Sequence, residues 1–536
     1  MGGWARTCLV RYYHYATGDP ALGATYEEVL PKVKAYHESI GVPFRHWQFD
    51  SWFYPKDGPV AHGGGGGAVT NWTSMPSVFP HGMQSIQEQL KVPMVMHNRQ
   101  WSNFSDYIKN LPQFKWYEST YAVPEDPLAF FTWFFQQQVP PRRSVHARRA
   151  AARPSWRACA SLLWSTDNRP IRSTRGRLHC IAWATLRPCC SAAPFLLAQE
   201  GWGLAMYEQD WLCTEYDGVE QLQTNISLAD LWLEGMATGA MRSGVTVQYC
   251  MPYPNDVLAA AALPAVTNAR ATGDYFHSDN QWAIGATAIM YWPIGVLPFK
   301  DGFYSSNLKQ VGGQTEGPET DPDREALIAT LSCAMVGPMD GIYLLNASRT
   351  MTTCRADGVV LKPDRPVGTS DWCFRHSPQG AASCYVYSTF SDVGGYGRLY
   401  YHFDNDARTF VPEMAGLQQT SDKYAIFNWY THQVQTMQAS NTLPAGYEGH
   451  SYAVVIPIVA GWAFVGEANK FVTASQLRFP SASASNSQLV VQLKGVAQET
   501  VTVCAATLGS DGAWALQCQQ IAFATAGVQT CTFVRH

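Results

Sequence analysis

The sequence predicts an α/β fold: a TIM-type (β/α)8 barrel followed by a C-terminal antiparallel β-sandwich. Three observations carry this expectation. From residue 8 to about 350, short apolar runs alternate with amphipathic helical stretches, the pattern of parallel strands joined by crossover helices. Beyond about 350 helical periodicity stops, and alternating Val/Thr/Tyr runs are separated by turn sequences such as Ser391-Asp392-Val393-Gly394-Gly395 and Gly509-Ser510-Asp511-Gly512. Finally, 536 residues exceed one ordinary core, which calls for a large domain and at least one smaller one. The expected division is a barrel over 1–350, interrupted at about 138–198, and a sandwich over 351–536.

The elements follow in order. A first strand is expected at 8–13, then a helix over 26–40 with Val29, Val33 and Tyr36 on one face. Next come a strand at 44–50, a helix near 83–90, a strand at 92–97 and a helix near 127–136. After the interruption the alternation resumes with a strand at 203–210, a helix over 228–242, a strand at 246–250, a short helix over 255–261 and a strand at 265–269. Two further units end near Pro298 and Gly337, with a helix over 322–334 between them, giving the eight that a closed barrel needs. In the C-terminal part, strands are expected at 382–389, 397–403, 489–493, 500–505 and 513–517. The apolar stretch 452–466 contains Pro457 and Gly461 and is too short to span a bilayer, so it reads as buried strands. The five glycines at 63–67 lack the context of a phosphate loop and read as a flexible loop over the barrel mouth.

The net charge of −4 is unevenly spread. Between Gln138 and Ala198 there are eleven Arg, no Lys and one acid, Asp167, with no period of 2 or 3.6. This stretch reads as an insertion of non-native origin, such as an unspliced or out-of-frame segment, in preference to a basic loop. Without it the chain carries 27 basic and 41 acidic side chains, which argues against a nucleic-acid partner. Of fourteen cysteines, four (Cys159, Cys180, Cys189, Cys190) lie in the same stretch; the others show no metal-binding spacing and read as structural thiols or a few disulfides. Sequons at Asn71, Asn103, Asn225 and Asn346 suit a secreted or vacuolar/lysosomal-type compartment, while no signal-peptide pattern is visible at the start. No metal or organic cofactor is implied.

Polar residues recur at the carboxyl ends of the expected strands: Asp50, His97 with Asn98, Asp210, Gln248, Arg270 with Asp274, Asp301 and Asp340. In a barrel these positions converge on one mouth. Tyr207-Glu208-Gln209-Asp210-Trp211 follows an apolar run, so Asp210 emerges beside an aromatic residue; the alternative is an Asp capping the next helix. Arg270 lies four residues before Asp274, where a guanidinium can position a carboxylate and burial under Tyr275 can raise its pKa; the alternative is a structural salt bridge. Two such aspartates are what glycoside hydrolysis requires: one attacks or stabilises an oxocarbenium-like carbon, the other gives a proton to the leaving oxygen.

Phe49-Asp50-Ser51-Trp52, Met206-Tyr207-Glu208-Gln209-Asp210-Trp211 and Ala269-Arg270-Ala271-Thr272-Gly273-Asp274, in this order, resemble the retaining α-galactosidase and raffinose-synthase clan of (β/α)8 glycoside hydrolases, families 27, 31 and 36. Val336-Gly337-Pro338 and Leu361-Lys362-Pro363-Asp364 resemble raffinose-synthase-like segments, and the likeness covers roughly residues 40 to 370 outside the Arg-rich stretch. The resemblance implies Asp210 as catalytic nucleophile, Asp274 as general acid/base, Arg270 as a sugar contact, and Asp50 and Trp52 as holders of the non-reducing sugar. Phe49 stands where the family has a first sugar-binding Asp, and Glu208 where it has a Lys, so galactose is a first guess at the sugar. His97, Asn98, Gln248, Tyr249 and Asp301 are expected to line the sugar pocket, with Trp47, Trp52, Trp101 and Trp211 as stacking faces; core packing is the alternative for each.

The reading is a retaining hydrolase of α-linked glycosides working by double displacement, with an oligosaccharide or glycoside as its partner. A raffinose-synthase-like transglycosidase uses the same carboxylates. A non-catalytic carbohydrate-binding barrel, or an inactive product, is the reading from another class.

Overall fold

A computed structural model describes residues 9–11, 22–57, 67–138, 202–275, 281–310, 318–406, 409–418, 423–446 and 448–535. The Arg-rich stretch with its four cysteines lies outside the described residues except for Gln138, as does the glycine run except for Gly67.

Seven parallel strands form one sheet in sequence order. They are β1 (Leu9–Arg11), β2 (His46–Phe49), β3 (Met94–Asn98) and, after a small antiparallel pair β4 (Trp116–Glu118) and β5 (Ala122–Pro124), β6 (Leu204–Gln209), β7 (Thr246–Tyr249), β8 (Val266–Arg270) and β9 (Leu297–Phe299). The expected eighth strand is reduced to one parallel bridge between Phe303 and Pro338, and among the described residues no ladder joins it to β1. Its preceding helix runs over Pro322–Leu331, ending earlier than the sequence suggests because Cys333 turns the chain with a left-handed φ of 64°. The sheet is therefore a curled parallel sheet, not a closed ring of eight hydrogen-bonded strands.

Helices cover the convex side. Tyr26–Ser39, Gly82–Leu90 and Ile226–Arg242 bury Val29, Val33, Ile86, Leu90, Trp232 and Met236 against sheet residues such as Trp47, Phe49, Met96, Tyr207 and Val247. Pro127–Gln138 lies against Ile226–Arg242, where Gly235 and Gly239 face the backbone of Pro127, Leu128 and Phe131 so closely that an added Cβ would overlap it. Asn225 starts the latter helix by accepting the Leu228 amide at 3.2 Å.

Beyond the curled sheet the strand ladders are antiparallel, with one isolated parallel bridge between Gly394 and Ser481. A nine-stranded sheet runs β10 (Gly368–Thr369), β11 (Val386–Val393), β12 (Gly397–Asp404), β15 (Ser451–Val459), β16 (Trp462–Gly466), β19 (Thr500–Leu508) and β20 (Trp514–Ala522), with β13 (Tyr424–Asn428) and β14 (Val434–Thr436) carried on β15. A second sheet of β17 (Ser481–Ala484), β18 (Gln488–Gly495) and β21 (Gly527–Val534) packs on it through Leu489, Val491, Leu493 and Phe533. The apolar stretch at 452–466 becomes the hairpin β15–β16, closed by Ala460 and Gly461 at φ 49° and 76°, two left-handed residues that match the strand twist. Disulfides join Cys373 to Cys384 and Cys504 to Cys518. One apolar cluster runs from Tyr275, Trp282 and Ile284, which follow β8, and from Leu327 of the helix Pro322–Leu331 into Tyr387, Phe403 and Phe464 of the antiparallel sheet. Among the described residues no helix is long and apolar enough to cross a membrane.

The glycine contact gives a test in which two principles oppose each other. Helix propensity alone makes Gly239→Ala stabilising by about 1 kcal/mol, whereas overpacking against the Phe131 backbone costs roughly 1–3 kcal/mol. Urea unfolding should show net destabilisation, with the midpoint lowered.

Candidate active site

The concave side of the curled sheet is layered. At its base, Val95, Ala205, Met206, Leu297 and Phe299 pack with Cys333, Ala334 and Met335 into a separate apolar cluster. Above this lies a belt of amides around one carboxylate. Gln48 Nε2 donates to Glu208, Gln248 Nε2 donates to Glu208 Oε1 at 2.8 Å, and Asn268 Nδ2 donates to Gln248 Oε1 at 2.7 Å. Gln48 on β2 and Glu208 on β6 are separated by β3, so their bond spans the inside of the curl. Two amide donors keep Glu208, which is fully buried, from being an uncompensated charge.

The mouth lies at the strand ends. The amide of Asp210, immediately after β6, donates to Asn98 O at 2.8 Å, which fixes the carboxyl end of β6 against β3. Asp210 Oδ2 is 3.0 Å from His97 Nε2, and its Oδ1 accepts the Trp211 amide at 2.7 Å. His97 Nε2 is also 3.8 Å from Asp50 Oδ1, while its Nδ1 is 2.7 Å from the Tyr54 hydroxyl. Burial alone pushes the Asp210 carboxyl upward. The hydrogen bond and charge of His97, the charge of Arg270 and a hydrogen bond from the Cys250 thiol outweigh it and hold Asp210 well below the usual carboxylate range. Burial likewise lowers His97, but Asp50, Asp210 and Glu208 raise it to a net upward shift. The two shifts favour the charged forms of both groups, so each supports the other. Trp211 adopts left-handed φ 57°, an uncommon conformation for a bulky residue, and the Arg99 guanidinium lies 4.4 Å from its ring centre.

Arg270, the last residue of β8, is buried and joins the second carboxylate to this group. Its Nη1 lies 2.7 Å from Asp274 Oδ1 and 3.3 Å from Asp301 Oδ2. Asp301 also accepts the amides of Tyr275 at 3.1 Å and Gly302 at 2.8 Å, which ties the segment after β8 to the end of β9. Asp274 is not buried under Tyr275 as expected: its side chain is 44 % exposed, because Tyr275 turns away and donates its hydroxyl to Glu319. Asp340, the last polar strand end, accepts the Ser305 and Ser306 amides, and burial pushes its pKa up to about 7.

Of the residues singled out from the sequence, Asp50, His97, Asp210, Arg270, Asp274 and Asp301 come together at the mouth, with Glu208 and Gln248 beneath and Trp211 half-buried beside Asp210. Others fall on the helix side, because successive strand residues point to opposite faces. Asn98 turns from His97 to Gln209, within 3.2 Å, and Gln209 in turn meets the buried Glu215 at 3.1 Å. Tyr249, Trp47, Trp52 and Trp101 belong to the convex-side core; Trp52 stacks on Tyr26 with ring centres 4.0 Å apart. Phe49 does too, packing on Phe79 at 5.7 Å, so it does not stand in the mouth in place of an aspartate. Sequence reasoning missed Gln48 and Asn268, each two residues before a strand-end polar residue and so on the same face, and also Tyr54 and Cys250. Among the described residues no group of three or more His, Cys, Asp or Glu is arranged to hold a metal ion.

No protein-family model matches the chain, and no curated protein does. Among solved structures it is similar to the isomalto-dextranase of Arthrobacter globiformis T6 complexed with panose, at 11% identity over 99% of this chain and 94% of that one, with a TM-score of 0.46. It is also similar to a family 36 α-galactosidase of Geobacillus stearothermophilus in complex with raffinose, at 9% identity over 84% of this chain and 55% of that one, with a TM-score of 0.40. Likeness at this level says nothing about which residues act.

The charge pairing sets a pH signature. The part due to His97, whose pKa is raised, is fully present below its ordinary value of about 6.5 and is lost as pH climbs through the raised one. The part due to Asp210, whose pKa is depressed, is present above about 3.9 and is lost only as pH falls through the lower folded value. His97→Leu removes the hydrogen-bonded cation from the buried Asp210 and should cost about 3–5 kcal/mol. The gap to wild type in urea unfolding should be widest between about pH 4 and 6.5 and narrow on both sides.

Proposed function

We propose that the chain is a glycosidase that cleaves α-linked glycosides with retention, Asp210 acting as nucleophile and Asp274 as general acid/base. One observation carries this reading. Asp210 is held ionised at the mouth by His97 and Arg270, while the half-exposed Asp274 is tied to the same Arg270.

The roles follow from where the two carboxylates sit. A nucleophile must be ionised before substrate arrives, and the cations around Asp210 secure that without solvent. Its Oδ1 and Oδ2 are both oriented, by the Trp211 amide and His97, so attack on an anomeric carbon needs little reorganisation. As the Asp210–C1 bond forms, the glycosidic C–O bond breaks and Asp274 passes its proton to the leaving oxygen. Asp210 then carries an ester and no charge. Asp274, now a carboxylate beside Arg270, takes a proton from water, which attacks C1 and releases Asp210. Exposure of Asp274 suits this double duty, since both leaving group and water reach it from solvent.

The finer assignments are part of the same proposal. The catalytic and sandwich domains divide near residue 350. An α-galactoside is the first substrate to try. Glu208 is sealed by Gln48 and Gln248, so it shapes the pocket from below, and Asp50 and Asp301 stand at the mouth as the carboxylates proposed to meet sugar hydroxyls.

Release of nitrophenol from a panel of aryl α- and β-glycosides tests the reading. Asp210→Asn should lower kcat by about 10³-fold or more, and Asp210→Gly with added azide should give a glycosyl azide of inverted configuration. Undiminished turnover in Asp210→Asn, or a first-formed product of inverted configuration from the unmodified chain, would contradict it.

A further inference from the structure

The nine-stranded sheet has two edges that approach each other. Among the described residues strand β14 pairs only with β13, and β20 pairs only with β19, yet Trp514 on β20 donates its indole N–H to Thr436 Oγ1 on β14 at 3.0 Å. Between them lies a cavity of about 330 Å³. Its apolar wall includes Trp514, Leu516 and Val434, all half-buried, and its polar side includes His432, Gln433 and Gln435, all exposed. Among the described residues no carboxylate, ammonium or guanidinium lines it.

We propose that this cavity is a binding site for a neutral pyranose, separate from the mouth of the curled sheet. A sugar ring presents an apolar C–H face and an equatorial belt of hydroxyls. The indole meets the first need, and the two primary amides with the imidazole meet the second, each able to donate and accept. The absence of charge disfavours an anionic or cationic ligand, and a purely apolar ligand would strip water from the amides without replacing it. The volume is at the lower end for small-molecule sites, enough for one or two rings. An added peptide strand is blocked because the Trp514–Thr436 bond already spans the gap between the edges.

The site is preformed. The β13–β14 turn carries His432 at φ 56°, and Asn428 locks that turn by accepting the amides of Tyr430 and Thr431 at 3.0 Å each and donating to Pro444 O at 3.2 Å. The indole cannot swing while its N–H is held. Little ordering entropy is then lost when a ligand enters.

The test uses the full chain carrying Asp210→Asn, titrated by calorimetry with maltotriose, isomaltotriose and raffinose. At least one of these should bind, and Trp514→Ala in the same background should weaken binding on the order of tenfold. Because Trp514 also packs on the core, Gln435→Ala, at an exposed position, serves as the second variant and should weaken the same sugar. Trp514→Ala in the unsubstituted chain should leave nitrophenyl glycoside turnover unchanged. No binding by any of the three sugars, or binding that neither variant weakens, overturns the proposal. Turnover that survives Asp210→Asn while Trp514→Ala still weakens binding would remove the proposed function and leave this site standing.

Discussion

The hydrogen bond between His97 and Asp210 is the interaction on which the mouth depends. The concave side of the curled sheet holds Asp50, Glu208 and Asp210 out of solvent, and His97 and Arg270 are cations that offset them. Each charge is tolerable there because another is present. Tyr54 fixes the imidazole from behind, Gln48 and Gln248 absorb Glu208, and Asp301 holds Arg270 in line, so the arrangement behaves as one unit rather than a set of pairs. A site built this way is rigid before any ligand arrives, and rigid charge is what stabilises developing charge in a reaction.

Much of this was legible in the sequence. Alternation of apolar runs with helical stretches located six of the seven parallel strands closely, and polar residues at their ends marked the mouth. What sequence could not supply was the face on which each residue falls. His97 and Asn98 read alike as a polar pair, yet one residue of register sends the first inward and the second to Gln209 and the helices. The same alternation takes Phe49 and Tyr249 out of the mouth. Tyr54 and Cys250 went unnoticed because one sits on a loop and the other reads as an ordinary buried thiol. In the C-terminal region the strands β13, β14, β17 and β21 were passed over. They are short, or carry Gln, Thr and Ser on exposed positions, and their pairing depends on neighbours distant in sequence.

The antiparallel sheets use the same device of compensated buried charge for a structural end. Arg478, fully buried, donates Nε to Glu467 at 2.9 Å, Nη1 to Glu499 at 2.8 Å and Nη1 also to the Lys494 carbonyl at 2.6 Å. Lys470 donates to the carbonyls of Met351 and Cys354 at 2.5 Å and 2.8 Å, closing the end of the short helix Ala347–Met351. These contacts fix one sheet on the flank of the other without asking apolar packing to supply orientation.

The seam at the missing eighth strand has a consequence for the order of assembly. On one side the chain near Pro338 is fastened to Phe303, whose amide donates to Gly337 O at 3.2 Å and whose carbonyl accepts from Met339 at 2.9 Å. Asp340 adds the Ser305 and Ser306 amides on the same side, and further fastenings come from later residues: Val367 donates to Leu331 O at 2.8 Å, Lys362 donates to Cys333 O at 3.1 Å, and Ser475 in turn holds Lys362 O at 2.8 Å. The curled sheet is thus a cuff whose clasp is made from the garment beyond it. During synthesis this wall gains its clasp from Lys362 and Val367, which emerge after it, and Ser475 fixes Lys362 only later still, so the antiparallel region takes part in shaping the cavity and is not merely its support.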